Sequence, residues 1–228
     1  MNVFIDIETI PEQPEAEAKA LIAETIEAPA TMKKADTIKD WHEGNGKYEG
    51  VKDAAIEDAY RKTSFDGAKG EICSIAWQVE GGELKSVSQA THGETVILDK
   101  LFLDLKESCK GRPPFFIGQY VAGFDLKFLF HRCIINQVNP GFKIPFDGRH
   151  TKDFYCTQAA WAGFGGRMSQ DNLCKALGIE GKPDDIDGSK VWDFYKAGKI
   201  DRIEEYNRHD VETVIEIYNR INFIGGGK

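Results

Sequence analysis

Two carboxylates interrupt an apolar run near the start of the chain, in FIDIET at residues 4–9. In a β-strand, side chains alternate between faces, so Asp6 and Glu8 point to the same side. A buried carboxylate without a partner is costly and needs a cation or hydrogen-bond donors. Hard divalent cations prefer carboxylate oxygens, so the pair could bind metal. A solvated strand edge explains the pair as well, although the flanking Phe and Ile residues favour burial.

Two later segments add candidate acids. Asp125, in IGQYVAGFDLKFLF, lies near the beginning of an expected helix, where an Asp also complements the helix dipole. Tyr206 and Asp210, in EEYNRHDVETV, are four residues apart and share one helical face. A solvated helix with a packed Tyr would show the same spacing. Each segment alone is therefore compatible with a structural role.

The elements that must position these residues alternate between strand and helix patterns, which favours an α/β fold with a mixed sheet. VFIDIETI is an expected strand with Val3, Ile5 and Ile7 on one face. Further strands, including a hairpin that turns at Gly81-Gly82, are expected in EICSIAWQVEGGELKSVSQA and PPFFIGQY. KDFYCTQAAW is expected to begin as a strand and continue as a helix. Helices are expected in TVILDKLFLDLKESC, GFDLKFLFHRCIINQ, SQDNLCKALGI and RIEEYNRHDVETVIEIYNRIN.

A mainly helical excursion at about residues 11–70 separates the first two strands, with helical spacing in PEAEAKALIAETIEA and GVKDAAIEDAYRKT. It is either a lid or a packed insertion. With 228 residues and 41% hydrophobic content, residues 1–228 are expected to form a single domain. Trp161 and Trp192 are expected in its core.

Composition narrows the classes of function. The net charge of −8 argues against a broad basic face that grips duplex DNA, although metal-binding acids contribute to that total. The five cysteines are scattered without a C-x-x-C pair, so neither a disulfide framework nor a thiolate zinc site is indicated. With no long apolar run and no signal-peptide pattern, we expect a cytoplasmic protein that does not bind membranes. No P-loop motif is present to support ATP-driven work.

The order of the acidic segments resembles the DEDD 3′–5′ exonucleases of the tyrosine-bearing subclass. The matching residues are Asp6 and Glu8 on the first strand, Asp125 after a middle strand, and Tyr206 with Asp210 on a C-terminal helix. GEICSIAW, DIDGSKVWDFYKAGKID and YNRHDVETV are similar to the group related to the proofreading domain of family B DNA polymerases. The resemblance covers most of residues 1–10 and 70–221.

This resemblance implies a ribonuclease H-like mixed sheet flanked by helices, with four carboxylates at one end of the sheet. Two Mg²⁺ or Mn²⁺ ions about 3.5–4 Å apart would clamp the attacking and leaving oxygens of a phosphodiester. By the resemblance, Asp6 bridges both metals, Glu8 and Asp210 bind one metal, and Asp125 acts mainly through the water shell of the other. Tyr206 is expected to orient the attacking water, because a phenol with a pKa near 10 is a poor base.

Contacts with nucleic acid are expected by analogy. The backbone of Thr9 and Ile10 would cradle the 3′ end, with Ile10 wedged near the terminal base. Many relatives carry an Asn where this chain has Gln119-Tyr120, so Tyr120 either stacks on a base or packs against the strand. Phe124 either lies beneath the nucleotide or packs in the core. Four cationic side chains are candidate phosphate contacts: Arg149, His150, Lys152 and Arg167.

The leading hypothesis is a metal-dependent 3′–5′ exonuclease acting on single-stranded DNA or a frayed 3′ end. It would act alone or as the editing subunit of a polymerase or another replication or repair protein, in proofreading or DNA repair. A 3′–5′ exoribonuclease or oligonucleotidase is an open alternative, because no residue distinguishes RNA from DNA. A catalytically silent scaffold that binds nucleic acid or a partner is the other.

Overall fold

The computed structural model describes residues 1–147, 152–163, 165–181, 183 and 185–225. The chain divides into two compact units, one formed by Met1–Thr9 with Ile72–Lys228 and the other by Ile10–Glu71. The single exonuclease domain expected at 1–228 stays a prediction.

A five-stranded sheet forms the centre of the first unit. Its strands are β1 (Asn2–Ile10), β2 (Glu71–Val79), β3 (Leu84–Ser88), β4 (Phe115–Gly118) and β5 (Phe154–Cys156), in the order β3-β2-β1-β4-β5. β2 and β3 form an antiparallel hairpin, whereas β4 runs parallel to both β1 and β5. The mixed sheet and the early hairpin predicted from the sequence are therefore confirmed.

Helices cover both faces of this sheet. They are α4 (Glu94–Ser108), α5 (Asp125–Ile135), α6 (Thr157–Ala162), α7 (Gln170–Leu177), α8 (Val191–Lys196) and α9 (Ile200–Ile221). Ile5 of β1 shares a core cluster with Leu98 of α4 and Leu129 of α5. Phe4 points to the opposite face, where it belongs to a second cluster with Val214 of α9. The alternation of β1 thus divides its side chains between two helical layers.

The second unit is mainly helical. It contains α1 (Glu15–Thr25), α2 (Ala35–Glu43) and α3 (Val51–Lys62), with 3₁₀ turns at Gly46–Tyr48 and Thr63–Phe65. Trp41 and Tyr60 are buried, and Lys19 of α1 forms ion pairs with Glu15 and Glu57. The helical spacing expected for α1 and α3 is confirmed, whereas α2 was not predicted.

The two tryptophans predicted to lie in the core have different outcomes. Trp192 is buried, but Trp161 is 44% exposed, so placing Trp161 in the core was wrong. The short helix α6 directs Thr157 inward and leaves its last turn on the surface.

The five cysteines are free thiols. None of the helices within the described residues combines the length and apolar character that crossing a lipid bilayer requires.

Candidate active site

β1 delivers two carboxylates to the face of the sheet that α9 covers. Val3, Ile5 and Ile7 belong to the core cluster on the other face. Asp6 and Glu8 therefore follow Phe4 along the α9 face. Glu8 is buried and Asp6 is partly buried. The apolar residues of β1 thus hold the two acids away from bulk solvent.

α9 carries one buried stripe that changes from polar to apolar along the helix. Tyr206, Asn207 and Asp210 are buried in its first half, and Val214 and Ile217 continue the stripe in its second half. The three- and four-residue spacing keeps all of them on one face. The apolar half packs on the sheet, so the polar half extends over the acidic end of β1.

Three carboxylates meet where these two elements approach each other. Asp6, Glu8 and Asp210 each offer an oxygen atom, and these atoms lie within 4.8 Å of one another. Like charges this close repel one another, and a cation between them would favour the ionised forms. A set of carboxylate oxygens suits a hard divalent ion. The structure brings together these three predicted residues, whereas their catalytic role stays a prediction.

Asp125 lies beside this cluster at the first residue of α5. Its Oδ1 accepts a hydrogen bond of 3.2 Å from the backbone N–H of Ile7, which lies between the two acids of β1. Asp125 is only 3% exposed. Burial raises the pKa of its carboxyl to about 7, with a further contribution from the negative charge of Asp210. Without metal, Asp125 is therefore partly protonated near neutral pH.

The turn between β4 and α5 brings Asp125 to this position. Gly118 ends β4, and a Cβ atom there would lie 2.9 Å from both the Ile5 carbonyl oxygen and the Val121 side chain. Tyr120 has a left-handed backbone with φ of 55°, and its ring lies over Gly123. A Cβ atom on Gly123 would be 2.3 Å from the Tyr120 Cζ. Close packing therefore requires a glycine at 118, whereas a side chain at 123 would displace the Tyr120 ring.

Tyr206 is buried with only 1% exposure and is hydrogen-bonded to Asp210. Burial, together with the negative charges of Glu8, Asp210 and Asp6, raises the pKa of its phenol well above the ordinary value. The hydroxyl thus keeps its proton throughout the neutral range and can donate a hydrogen bond.

Two buried amides contact the acids, and neither was identified from the sequence. Asn207 donates from Nδ2 to Asp6 Oδ2 at 2.7 Å. Gln170, the first residue of α7, donates from Nε2 to Asp210 Oδ1 at 3.1 Å. The position of Asn207 beside Tyr206 on the buried stripe is a signal that could have found it. Gln170 follows the N-cap Ser169 but has no comparable pattern.

A cavity of about 300 Å³ opens at the carboxylates. Besides the acids and Tyr206, its lining includes Gln119, Tyr120 and Phe124. Tyr120 is 51% exposed, whereas Phe124 is partly buried and also packs against the core. Two larger cavities, of about 490 and 500 Å³, adjoin each other at Phe142, and neither contains a residue of the acidic cluster.

Other residues predicted to bind nucleic acid lie elsewhere. Thr9 and Ile10 are not among the described residues that line the cavity, and the Ile10 side chain is fully buried. Lys152 and Arg167 are exposed and are also outside the described lining. The other two candidate phosphate contacts, Arg149 and His150, lie outside the described residues. Contacts of these residues with nucleic acid stay predictions.

Comparison with known proteins gives a family match and similar solved structures. A family model described as a predicted 3′-5′ exonuclease related to the exonuclease domain of PolB matches residues 71–227. The matched segment contains Asp125, Tyr206 and Asp210, whereas Asp6 and Glu8 precede it and reach the cluster through β1. No curated protein matches the chain.

Among solved structures, the chain is similar to the family B DNA polymerase from the hyperthermophilic archaeon Pyrobaculum calidifontis. The TM-score is 0.51 at 13% identity, over 97% of this chain and 24% of the polymerase chain. This chain therefore spans about a quarter of the polymerase's length. At such low identity the likeness concerns the fold alone. It confirms the predicted α/β fold, a ribonuclease H-like mixed sheet flanked by helices.

Proposed function

Since the chain belongs to the family of predicted 3′–5′ exonucleases related to the exonuclease domain of PolB, we propose that it removes nucleotides from the 3′ end of single-stranded DNA. The observation that carries this proposal is the meeting of Asp6, Glu8 and Asp210, whose oxygens lie within 4.8 Å of one another at the cavity. A phosphodiester and a cluster of carboxylates are both anionic. A nuclease reaction in this cavity therefore requires cations between them.

The donor set fits Mg²⁺ or Mn²⁺, because it consists of carboxylate oxygens and contains no thiol or imidazole among its described members. Asp6, Glu8 and Asp210 would hold the ions, with Asp125 as a fourth carboxylate that binds directly or through water. Two bound divalent ions supply electrostatic stabilisation of the charge on the attacking and leaving oxygens. The raised pKa of Asp125 is consistent with this role, because cations favour the ionised form.

Tyr206 would orient the attacking water. Its hydroxyl lies among Glu8, Asp210 and Asp6, and the raised pKa of the phenol keeps it protonated. A protonated phenol donates a hydrogen bond and cannot remove a proton from water. This supports a positioning role for Tyr206 in preference to general-base catalysis.

The cavity and its aromatic residues support a single-stranded end as substrate. A cavity of about 300 Å³ suits a single splayed nucleotide better than a paired duplex end. Tyr120 is half exposed and could stack on a base, and Phe124 could support the sugar or base from below. Gln119 instead bonds to the Met168 carbonyl and accepts from the Thr157 hydroxyl, so it holds the surrounding loops together.

The family relation to the exonuclease domain of PolB supports DNA as substrate and a role in proofreading or DNA repair beside a polymerase. The test uses a single-stranded DNA oligonucleotide labelled at its 5′ end, incubated with Mn²⁺ or Mg²⁺. A ladder that shortens from the 3′ end is expected, whereas circular single-stranded DNA should stay intact. EDTA and Asp6→Asn should each abolish the ladder. Asp99→Asn, on the exposed surface of α4, is the matched control and should retain it.

The alternative functions appear as other outcomes of this test. Degradation of RNA but not DNA would make the protein an exoribonuclease or oligonucleotidase. If both substrates stay intact with either metal, the proposal is wrong and a silent scaffold is the better description.

A further inference from the structure

A chain of buried hydrogen bonds connects Asp6 with the interior of the sheet. Asn207 Nδ2 donates to Asp6 Oδ2 at 2.7 Å, and the Ser74 hydroxyl donates to Asn207 Oδ1 at 2.9 Å. Asn207 and Ser74 are both completely buried. An ionised carboxylate only accepts hydrogen bonds, so the amide nitrogen of Asn207 must face Asp6. The amide oxygen then faces Ser74 and accepts a hydrogen bond from its hydroxyl. The orientation of the Asn207 amide is therefore determined by its two partners.

Packing alone does not account for these two polar residues. Ser74 lies between buried apolar neighbours on β2, and Asn207 is followed on its helical stripe by Val211 and Val214. Replacing both partners of a buried hydrogen bond by apolar groups of similar shape is nearly neutral for stability. Stability alone therefore does not require the pair, and its contact with Asp6 is the feature that needs an explanation.

A neutral amide is well suited to a carboxylate that has to bind a cation. Its N–H stabilises the ionised form of Asp6 and restricts the rotation of the carboxylate. Unlike a lysine or arginine, it brings no positive charge that would repel a divalent ion. The hydrogen bond from Asn207 thus stabilises the carboxylate of Asp6 without opposing the binding of a metal ion.

We propose that Asn207, held in place by Ser74, is a positioning residue that orients Asp6 as a ligand for divalent cations. The inference rests on the proposed function for the identity of the ligand set. Gln170 acts in the same way on Asp210, through its hydrogen bond to Oδ1. Ser74 and Asn207 act in series on Asp6, whereas Gln170 contacts Asp210 from a different helix.

This arrangement predicts how substitutions combine. Asn207→Leu is expected to weaken Mn²⁺ binding by about 10- to 100-fold, which is typical for the loss of a partner that orients a ligand. Ser74→Ala should weaken it less, and the double variant should match Asn207→Leu because the two residues act in series. Gln170→Leu alone should also weaken Mn²⁺ binding, because Asp210 loses the hydrogen bond to its Oδ1.

The experiment is calorimetric titration of the full chain with Mn²⁺ alone, without nucleic acid. The matched control is Asn136→Leu, because Asn136 Nδ2 donates at 2.8 Å to another carboxylate, Glu94, outside the cluster. This control loses the same type of hydrogen bond and should bind Mn²⁺ like the wild type. If Asn207→Leu fails to fold, Ser74→Ala and Gln170→Leu test the same proposal by the same titration.

Activity supplies the second readout. For a positioning role, excess Mn²⁺ should restore kcat of Asn207→Leu, with KM for DNA unchanged. Unchanged Mn²⁺ affinity in Asn207→Leu, while Asp6→Asn loses binding, would overturn the inference. So would a wild-type chain that does not bind Mn²⁺. Weakened Mn²⁺ binding in a protein that degrades neither DNA nor RNA would support the inference and refute the proposed exonuclease.

Discussion

A buried ion pair between Glu94 and Arg132 joins three elements of the first unit. Arg132, near the end of α5, donates from Nε to Glu94 Oε1 at 2.8 Å and from Nη2 to Oε2 at 2.6 Å. The N–H of Ile72 on β2 and the amide of Asn136 also donate to this carboxylate, each at 2.8 Å. The side chains of Arg132 and Glu94 are only 8% and 6% exposed. Glu94 begins α4, so the pair connects α4, α5 and β2.

Arg132→Met removes the guanidinium and keeps an unbranched apolar side chain. Glu94 then stays buried with only its two neutral donors. Breaking a buried pair in this way typically lowers the free energy of unfolding by about 3–5 kcal/mol. In Glu94→Gln/Arg132→Met, the Gln side-chain oxygen can still accept from Ile72. We therefore expect the double variant to be more stable than Arg132→Met by about 2 kcal/mol.

Urea unfolding followed by circular dichroism measures both differences. The matched control is Lys62→Met, which breaks the pair of Lys62 with Asp58, a 2.6 Å contact whose side chains are 65% and 66% exposed. An exposed pair contributes at most about 1 kcal/mol. If Arg132→Met costs no more than Lys62→Met, or if the double variant is less stable than Arg132→Met, the burial argument is refuted.

Three further predictions concern the candidate active site. Because burial and the charge of Asp210 raise the pKa of Asp125 to about 7 from 3.8, the folded metal-free protein holds a proton that the unfolded chain releases. Its stability should therefore fall as the pH rises from about 4 to about 7, and in EDTA Asp125→Asn should raise the melting temperature at pH 8 but not at pH 4. An equal difference at both pH values would refute this. Tyr206→Phe should lower kcat by about 100-fold while leaving Mn²⁺ affinity in calorimetry unchanged, and lost metal binding would exclude a pure positioning role. Tyr120→Ala should raise KM for single-stranded DNA by about 5- to 150-fold with kcat unchanged, which corresponds to one stacked base. Gly123→Ala should shift KM in the same direction by displacing the Tyr120 ring, and an unchanged KM in both variants would place Tyr120 outside the DNA site.

Periodicity predicted the elements that carry the acids. The alternation in VFIDIETI correctly separated Val3, Ile5 and Ile7 from the face of Asp6 and Glu8, because a strand offers only two directions. The spacing in the last helix likewise placed Tyr206 and Asp210 on its buried face. In both cases a local repeat determines which side chains share a face.

The position of Asp125 beside β1 could not be predicted from sequence periodicity. This position depends on the turn after Gly118 and on the left-handed backbone of Tyr120. It also depends on the backbone N–H of Ile7, which lies beyond the part of β1 that pairs with β4 and donates to Asp125. Propensity does not predict a positive φ at a tyrosine. The amide contacts of Asn207 and Gln170 were missed for a related reason, since they join elements that are distant in sequence. Only the resemblance to a known family indicated that the acids would meet.

Glu94 differs from Asp6 and Asp210 in the charge of its hydrogen-bond donors, and this difference matches the roles that we assign to the three carboxylates. Glu94 faces the guanidinium of Arg132, so its charge is compensated within the chain, as suits a residue that joins helices. Asp6 and Asp210 receive hydrogen bonds from the neutral amides of Asn207 and Gln170. Amides orient a carboxylate but leave its charge in place, and the raised pKa of Asp125 shows that charge in this region is costly without a cation. A metal ion that binds there lowers this cost only in the folded state, so its binding energy also stabilises the fold. An electrostatic arrangement that costs the metal-free protein stability would therefore favour a bound divalent cation at the proposed site.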